Sequence, residues 1–284
     1  MTERMEAGPA EPAALGEAAA QPAAAAPARR LRMPGTFRSL RHRNFRLLWI
    51  GTVVSNSGDW MERVALNWLV WDLTHSAFSL ALFNAVRLAP ILAFTLIGGV
   101  VADRMERRRL LMTTQGAAMV LAFLLFGLVA AGLITFWLVV LLGAGRGIML
   151  SFNNPARQSL ISELVPGQDL MNAVALNSTT LNMTRIIGSS VAGLLISVVG
   201  VTGAFLFNAV SFVAVLWALF IMDIPKRPGR VARTGVLQDM AGGVRYLRGE
   251  RTLLTLVTLA LVPMIFGMPY QSLLAIFADD VLGV

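Results

Sequence analysis

The sequence predicts an all-α, polytopic membrane protein, and three observations carry that prediction. Apolar residues make up 56% of the 284-residue chain and charged residues only 14%, with a mean hydropathy of +0.67. A soluble domain of this size carries about a quarter of its residues as charge. The apolar residues gather into seven runs, each long enough to cross a hydrocarbon layer of about 30 Å. The basic residues are segregated: 20 of the 24 Lys and Arg lie in alternate connections, and the connections between them hold none. The net charge of +8 and the pI of 11.3 therefore report topology, and nucleic acid is not needed as a partner. With no cysteine, disulfides and thiolate metal sites are excluded. His42 and His75 are too few and too far apart for a metal site, so no cofactor is expected.

Residues 1–36 are rich in Ala and Pro, and Glu3, Glu6, Glu11 and Glu17 interrupt anything that could serve as a signal-peptide core. This stretch reads as a disordered cytoplasmic tail. Arg38, Arg41, Arg43 and Arg46 then lead into the first span, as a segment held at an anionic inner leaflet does. Spans are predicted at about 44–71, 77–101, 110–131, 135–155, 171–197 and 203–222, so that residues 37–222 form a six-helix bundle. Residues 156–170 read as a connection. The cytoplasmic linker, 223–251, opens on the breaker run IPKRPGR. Inside it Leu237, Met240, Val244 and Leu247 recur at helical spacing opposite Arg245 and Arg248, the pattern of an amphipathic helix on the membrane surface. A seventh span at about 252–278 lies within the last segment, 252–284. Basic residues before the first span, in the 102–109 loop and in 223–251 place all three in the cytoplasm. Trp71 and Trp137 fall at the outer interface and Trp217 near the inner one.

Six charges remain inside the spans: Asp59, Glu62, Arg63, Arg87, Arg146 and Arg185. Each costs about 2.5–3.5 kcal/mol at the centre of a bilayer, so the six cannot all face lipid. Helical spacing puts Ser55, Asn56, Asp59, Glu62, Arg63 and Asn67 on one face of the first helix. Asn84 and Arg87 share a face of the second, Gly143, Arg146, Gly147 and Ser151 of the fourth, and Asn182 and Arg185 of the fifth. The third and sixth spans carry no charge and read as lipid-facing all round. The order charged, charged, clean thus occurs twice, the weak internal symmetry of two three-helix repeats.

The stretch from Gly98 to Leu110, GGVVADRMERRRL, holds the pattern G-x-x-x-D-R-x-x-R-R in Gly99, Asp103, Arg104, Arg107 and Arg108. It resembles the loop between the second and third helices of the major facilitator superfamily, with Glu106 standing where that loop usually has glycine. Residues 146–166 and 172–196, RGIMLSFNNPARQSLISELVP and NAVALNSTTLNMTRIIGSSVAGLLI, resemble the enterobactin exporter-like (transmembrane secretion effector) branch of siderophore and drug efflux proteins. Gly188 to Gly193 is similar to the antiporter signature G-P-x-x-G-G, with serine for the proline and alanine for one glycine.

The resemblance covers about 37–284. It implies the six-helix N-terminal half of a major facilitator fold plus the first helix of the second half. The chain is then expected to be the leading part of a twelve-helix protein. It also implies a gate loop in which the arginines brace Asp103 against a helix of the other half. Asp59 and Glu62 become candidate proton carriers, and Asn56, Arg63, Arg87, Arg146, Asn182 and Arg185 candidate cavity residues. The expected activity is secondary efflux of a small molecule, a siderophore or a drug, across the bacterial inner membrane by alternating access. The partners are then substrate, protons and lipid, and no enzyme motif is present. The alternative is a membrane scaffold or sensor without transport.

Overall fold

The computed structural model describes residues 35–223 and 249–262. The expected tail, the amphipathic stretch of the linker and the end of the seventh span lie outside the described residues. A short 3-10 helix, Gly35–Arg41, leads into α1 (Arg43–Thr74), α2 (Ala77–Arg104), α3 (Arg107–Ala130), α4 (Phe136–Leu164) and α5 (Gly167–Ile221), and α6 is Arg251–Val262. The fold is a polytopic membrane all-α fold: α2, α3, α4 and α5 are long and apolar enough to cross a bilayer. At 32 residues α1 has the length as well, and it carries Asp59, Glu62 and Arg63 in the middle of its apolar run.

Three connections differ from the sequence expectation. The loop read at 102–109 shrinks to Met105 and Glu106, because α2 runs through Arg104 and α3 starts at Arg107. Arginine is a good helix former, so the basic cluster extends both helices instead of breaking them. The connection read at 156–170 likewise reduces to Val165 and Pro166, both in extended conformation. The expected outer loop at 198–202 becomes a single reversal inside α5 at Gly200, whose φ of 72° and ψ of 177° belong to a region essentially closed to residues with a Cβ. A methyl there would meet nothing within 4 Å, so the penalty of substitution is conformational. Gly200→Ala is expected to lower stability by about 1–3 kcal/mol, read as an earlier midpoint in a detergent unfolding titration.

The reversal splits α5 into arms 167–199 and 201–221. In the bundle α1 packs along α5, α2 along α4, and α3 against both α4 and α5. Helices of the first triplet thus pair with helices of the second. Two apolar clusters result. One gathers Phe45, Leu111, Leu160, Phe212 and Leu219 toward the end that carries the 3-10 helix; the other gathers Leu66, Val70, Phe83, Val139 and Phe205. Along α1, α2 and α4 the interior charges fall between the two.

The sixth and third spans are not lipid-facing all round. The 201–221 arm buries Phe205, Asn208, Ser211, Phe212 and Val215, and α3 buries Leu111, Thr114, Ala118, Ala122 and Leu125. The packing face of a membrane helix is as apolar as its lipid face, so the absence of charge says nothing about burial. The stagger of small residues such as Ala118 and Ala122 was the available signal.

Candidate functional site

Arg146 is the centre of the interior charges. Its position on α4, between Gly143 and Gly147, puts it where α2 packs close, and its guanidinium crosses the bundle to α1. There Nη2 is ion-paired with Asp59 Oδ1, and Nε stands 3.5 Å from Glu62 Oε1. One cation thus spans two carboxylates set three residues apart on one helix. The ring of Phe212 lies 4.8 Å from the same guanidinium, adding a cation–π contact.

The two acids differ in surroundings. Asp59 keeps 24% of its side chain exposed and Glu62 keeps 1%. Glu62 is completed by Asn208 of the 201–221 arm, whose Nδ2 donates to Oε2. The Asn208 amide oxygen in turn accepts a longer contact, 3.4 Å, from Ser211 Oγ. Buried ionised groups persist only when paired and hydrogen-bonded, and Glu62 meets both conditions. Arg87, 8% exposed, joins Glu62 and Arg146 around a small cavity of about 10 Å³ walled by Leu66, Leu125 and Leu142.

Other sequence-selected residues stand further out. The Arg63 guanidinium lies 4.2 Å from the Trp60 ring. Asn56 meets Arg157, with 3.5 Å between Oδ1 and Nη1. Asn182 is exposed and donates to the Ser178 carbonyl of its own helix at 3.0 Å. Arg185 is half-exposed, and the α5 face buried against the bundle is Thr180, Thr184 and Gly188 instead. The structure therefore gathers Asp59, Glu62, Arg87 and Arg146 and leaves Asn182 and Arg185 outside that group.

The basic end is tied together by charge. Arg107 pairs with Glu163 of α4, and Arg109 Nε lies 2.8 Å from Glu106. Arg108 donates through Nε and Nη2, both at 2.8 Å, to the carbonyls of Leu219 and Phe220, the last turn of α5, where unpaired carbonyls attract a cation. Asp103 is exposed and Gly99 half-buried. Arg107 and Arg108 thus turn to Glu163 and to the end of α5, rather than to Asp103 as the resemblance implied. On the same end Asp169 is held by Arg38 at 2.7 Å and His42 at 2.9 Å, and Asn172 accepts from the Ser39 N–H at 2.9 Å. These bonds seat the 3-10 helix on the start of α5.

Sequence reasoning missed two residues of the interior. Asn208 was invisible in a span judged clean. Arg157 was counted as a loop cation, yet it lies in α4 and is 9% exposed. Its distance of eleven residues from Arg146, three helical turns, was the signal that both share a face.

A family model described as transmembrane secretion effector matches residues 34–284. Among curated relatives, the staphyloferrin A transporter of Staphylococcus aureus is 28% identical over 230 residues, covering 79% of this chain and 56% of that protein. The enterobactin exporter of Shigella flexneri is 26% identical over 223 residues, covering 77% and 53%. A multidrug efflux pump of Mycolicibacterium fortuitum is 27% identical over 243 residues, covering 80% and 58%. The chain spans just over half the length of these relatives, which are transporters rather than enzymes.

Proposed function

Since the chain belongs to the transmembrane secretion effector family of the major facilitator superfamily, we propose that it forms the N-terminal bundle of a proton-coupled exporter working by alternating access. The proposed site is the bacterial inner membrane, with the N-terminus and the basic end of the bundle in the cytoplasm. The observation that carries the coupling is the Arg146 bridge between a sealed acid and a partly open one.

In this reading Glu62 is the fixed counter-charge. Held by Arg146 and Asn208, it keeps the guanidinium in place whichever way the neighbouring acid titrates. Asp59 carries the proton. It has solvent access, and its partner is shared, so protonation releases one arm of Arg146 without leaving that cation unpaired. A hydroxyl of the solute donating to the ionised Asp59 carboxylate competes with the proton for the same oxygens: solute loads as the proton leaves, and the returning proton expels it. Binding energy that differs between the two protonation states is what such a coupling requires.

Charge favours an anionic solute. Arg63, Arg87, Arg146 and Arg157 face only Asp59 and Glu62 in this region, an excess of two positive charges. That suits a carboxylate- or catecholate-bearing siderophore better than a lipophilic cationic drug; the relatives named above include an enterobactin exporter and a multidrug efflux pump. The gate reading of the α2–α3 junction is retained in part: the exposed Asp103 is free of Arg107 and Arg108 and remains the group offered to another bundle, with Gly99 and Arg104 beside it on α2.

The test is efflux from proteoliposomes with and without an inward proton gradient, using one anionic and one cationic substrate. Asp59→Asn is expected to remove the gradient-driven component by about tenfold or more while substrate binding is retained, since general proton transfer by one placed group contributes on that order or above. Gradient-driven efflux unchanged in Asp59→Asn would retire the coupling role. A preference for the cationic substrate would reverse the assignment of solute charge.

A further inference from the structure

A second polar chamber opens between α1, α3 and α4, beside Asp59 but separate from the Glu62 side of Arg146. Its volume is about 30 Å³, and Asn56, Asp59, Thr114, Asn153, Arg146 and Arg157 are among its walls. A site needs roughly 10–15 Å³ by this measure to hold one water. The chamber therefore seats a group of two or three heavy atoms.

Two buried donors in its walls are unmet. Arg157 is 9% exposed, and its Nη1 and Nη2 make only long contacts, 3.5 Å to Asn56 Oδ1 and 3.3 Å to Asn154 Oδ1. Among the described residues its Nε has no partner, and neither does Asn56 Nδ2; both are buried donors. The Thr114 hydroxyl is already turned to the carbonyls of its own helix, at 2.8 Å to Leu110. The one carboxylate in the wall, Asp59, is taken by Arg146. Arg146 is shared between Asp59 and Glu62, so the cation left without a carboxylate of its own is Arg157, and among the described residues its Nε and Asn56 Nδ2 remain unmet donors.

A buried cation with unmet donors is stabilised by a group that accepts hydrogen bonds and donates none. We propose that this chamber is a binding site for a compact monovalent anion, gripped by Arg157 and Asn56. The volume admits a halide ion or a single carboxylate group, the latter free or borne on the end of a larger solute. Sulfate and phosphate carry too much charge and too many atoms. The assignment holds whatever the protein transports.

The experiment is thermal unfolding of the purified protein in detergent at constant ionic strength, with isethionate, whose sulfonate head is too large for the chamber, replaced stepwise by chloride, formate or acetate. A saturable rise in Tm is expected with at least one of the three, because a ligand that binds only the folded state stabilises it by mass action. Chloride acting alone identifies a free halide; formate and acetate acting alone identify a carboxylate group. Half-saturation in Asn56→Ala is expected to weaken about tenfold, as loss of one charge-assisted hydrogen bond does. Arg185→Gln, outside the chamber walls, is expected to keep the full response.

Arg157→Gln is expected to lose the response. Should that variant not fold, Asn56→Asp decides the matter: nearly isosteric, it places a carboxylate against Arg157 and supplies the anion from within. Its Tm is expected to be independent of the added salt. Three results would overturn the assignment: a response that persists in Arg157→Gln, one that persists in Asn56→Asp, or no response to any of the three anions, which would leave the chamber to water.

Discussion

Replacing Arg146 with methionine is expected to destabilise the bundle by about 3–5 kcal/mol and to abolish gradient-driven efflux. Removing one partner of a buried ion pair leaves the other uncompensated, and the penalty of that range is the stranded charge rather than the lost contact. Here two carboxylates are stranded, and they are not equal. Asp59 can hydrate, because a quarter of its side chain is exposed. Glu62 cannot, being 1% exposed with Asn208 as its remaining donor. Most of the loss is therefore assigned to Glu62, and it can be recovered there. The double variant Glu62→Gln with Arg146→Met is expected to regain a large part of the stability, because an uncharged amide can still bond to Asn208. Asp59→Asn with Arg146→Met is expected to regain little. Neither double variant recovers transport. A chemical-denaturation series in which both doubles regain stability equally would show that the two acids share the burden, and that Glu62 is not the fixed member of the pair.

The sequence made this network legible because charge inside a membrane is expensive. Asp59, Glu62, Arg87 and Arg146 stand out from apolar surroundings, and helical spacing puts each on an inward face. The same reasoning placed Asn182 and Arg185 inward, where the structure has them exposed and half-exposed. On that helix small and hydroxyl residues, Thr180, Thr184 and Gly188, make the contact with α1. Polarity marks a face that shuns lipid without saying whether it meets a neighbour or an open cavity. Asn208 was lost for the opposite reason, a single amide in a span whose other residues gave no warning. Helix ends are hard to read in basic or polar runs, since arginine near an interface continues a helix as readily as it leaves one. The pairing of α1 with α5 and of α2 with α4 was not readable at all from periodicity, because it depends on which small residues face each other across the bundle.

That last dependence sets the second large effect, at the crossing of α2 and α4. A Cβ on Gly147 would fall inside contact distance of the Arg87 carbonyl oxygen, and one on Gly98 inside that of the Ser151 carbonyl. Both obstacles are backbone, so no rotamer change relieves them and the helices must move apart. The shift would also break the bond from Ser151 Oγ to the Pro90 carbonyl, 3.0 Å long, at the point where proline has already removed a helical donor from α2. Gly147→Ala is expected to cost about 1–3 kcal/mol, the range for overfilling a packed interior. Because Arg146 is its neighbour, the bridge to Asp59 should weaken with it and efflux fall in parallel. Gly98→Ala is expected to cost a similar amount. Combined, the two should cost less than their sum, since a single separation of α2 from α4 accommodates both methyls and residues that share a shift are not additive. Gly116→Ala and Gly127→Ala supply the sign control. Each lies within α3 with nothing inside 4 Å of the new methyl, and each is expected to be neutral or stabilising by up to about 1 kcal/mol. Full additivity at 98 and 147 would mean that the two glycines answer to separate contacts, and that α2 and α4 do not cross as one rigid seam.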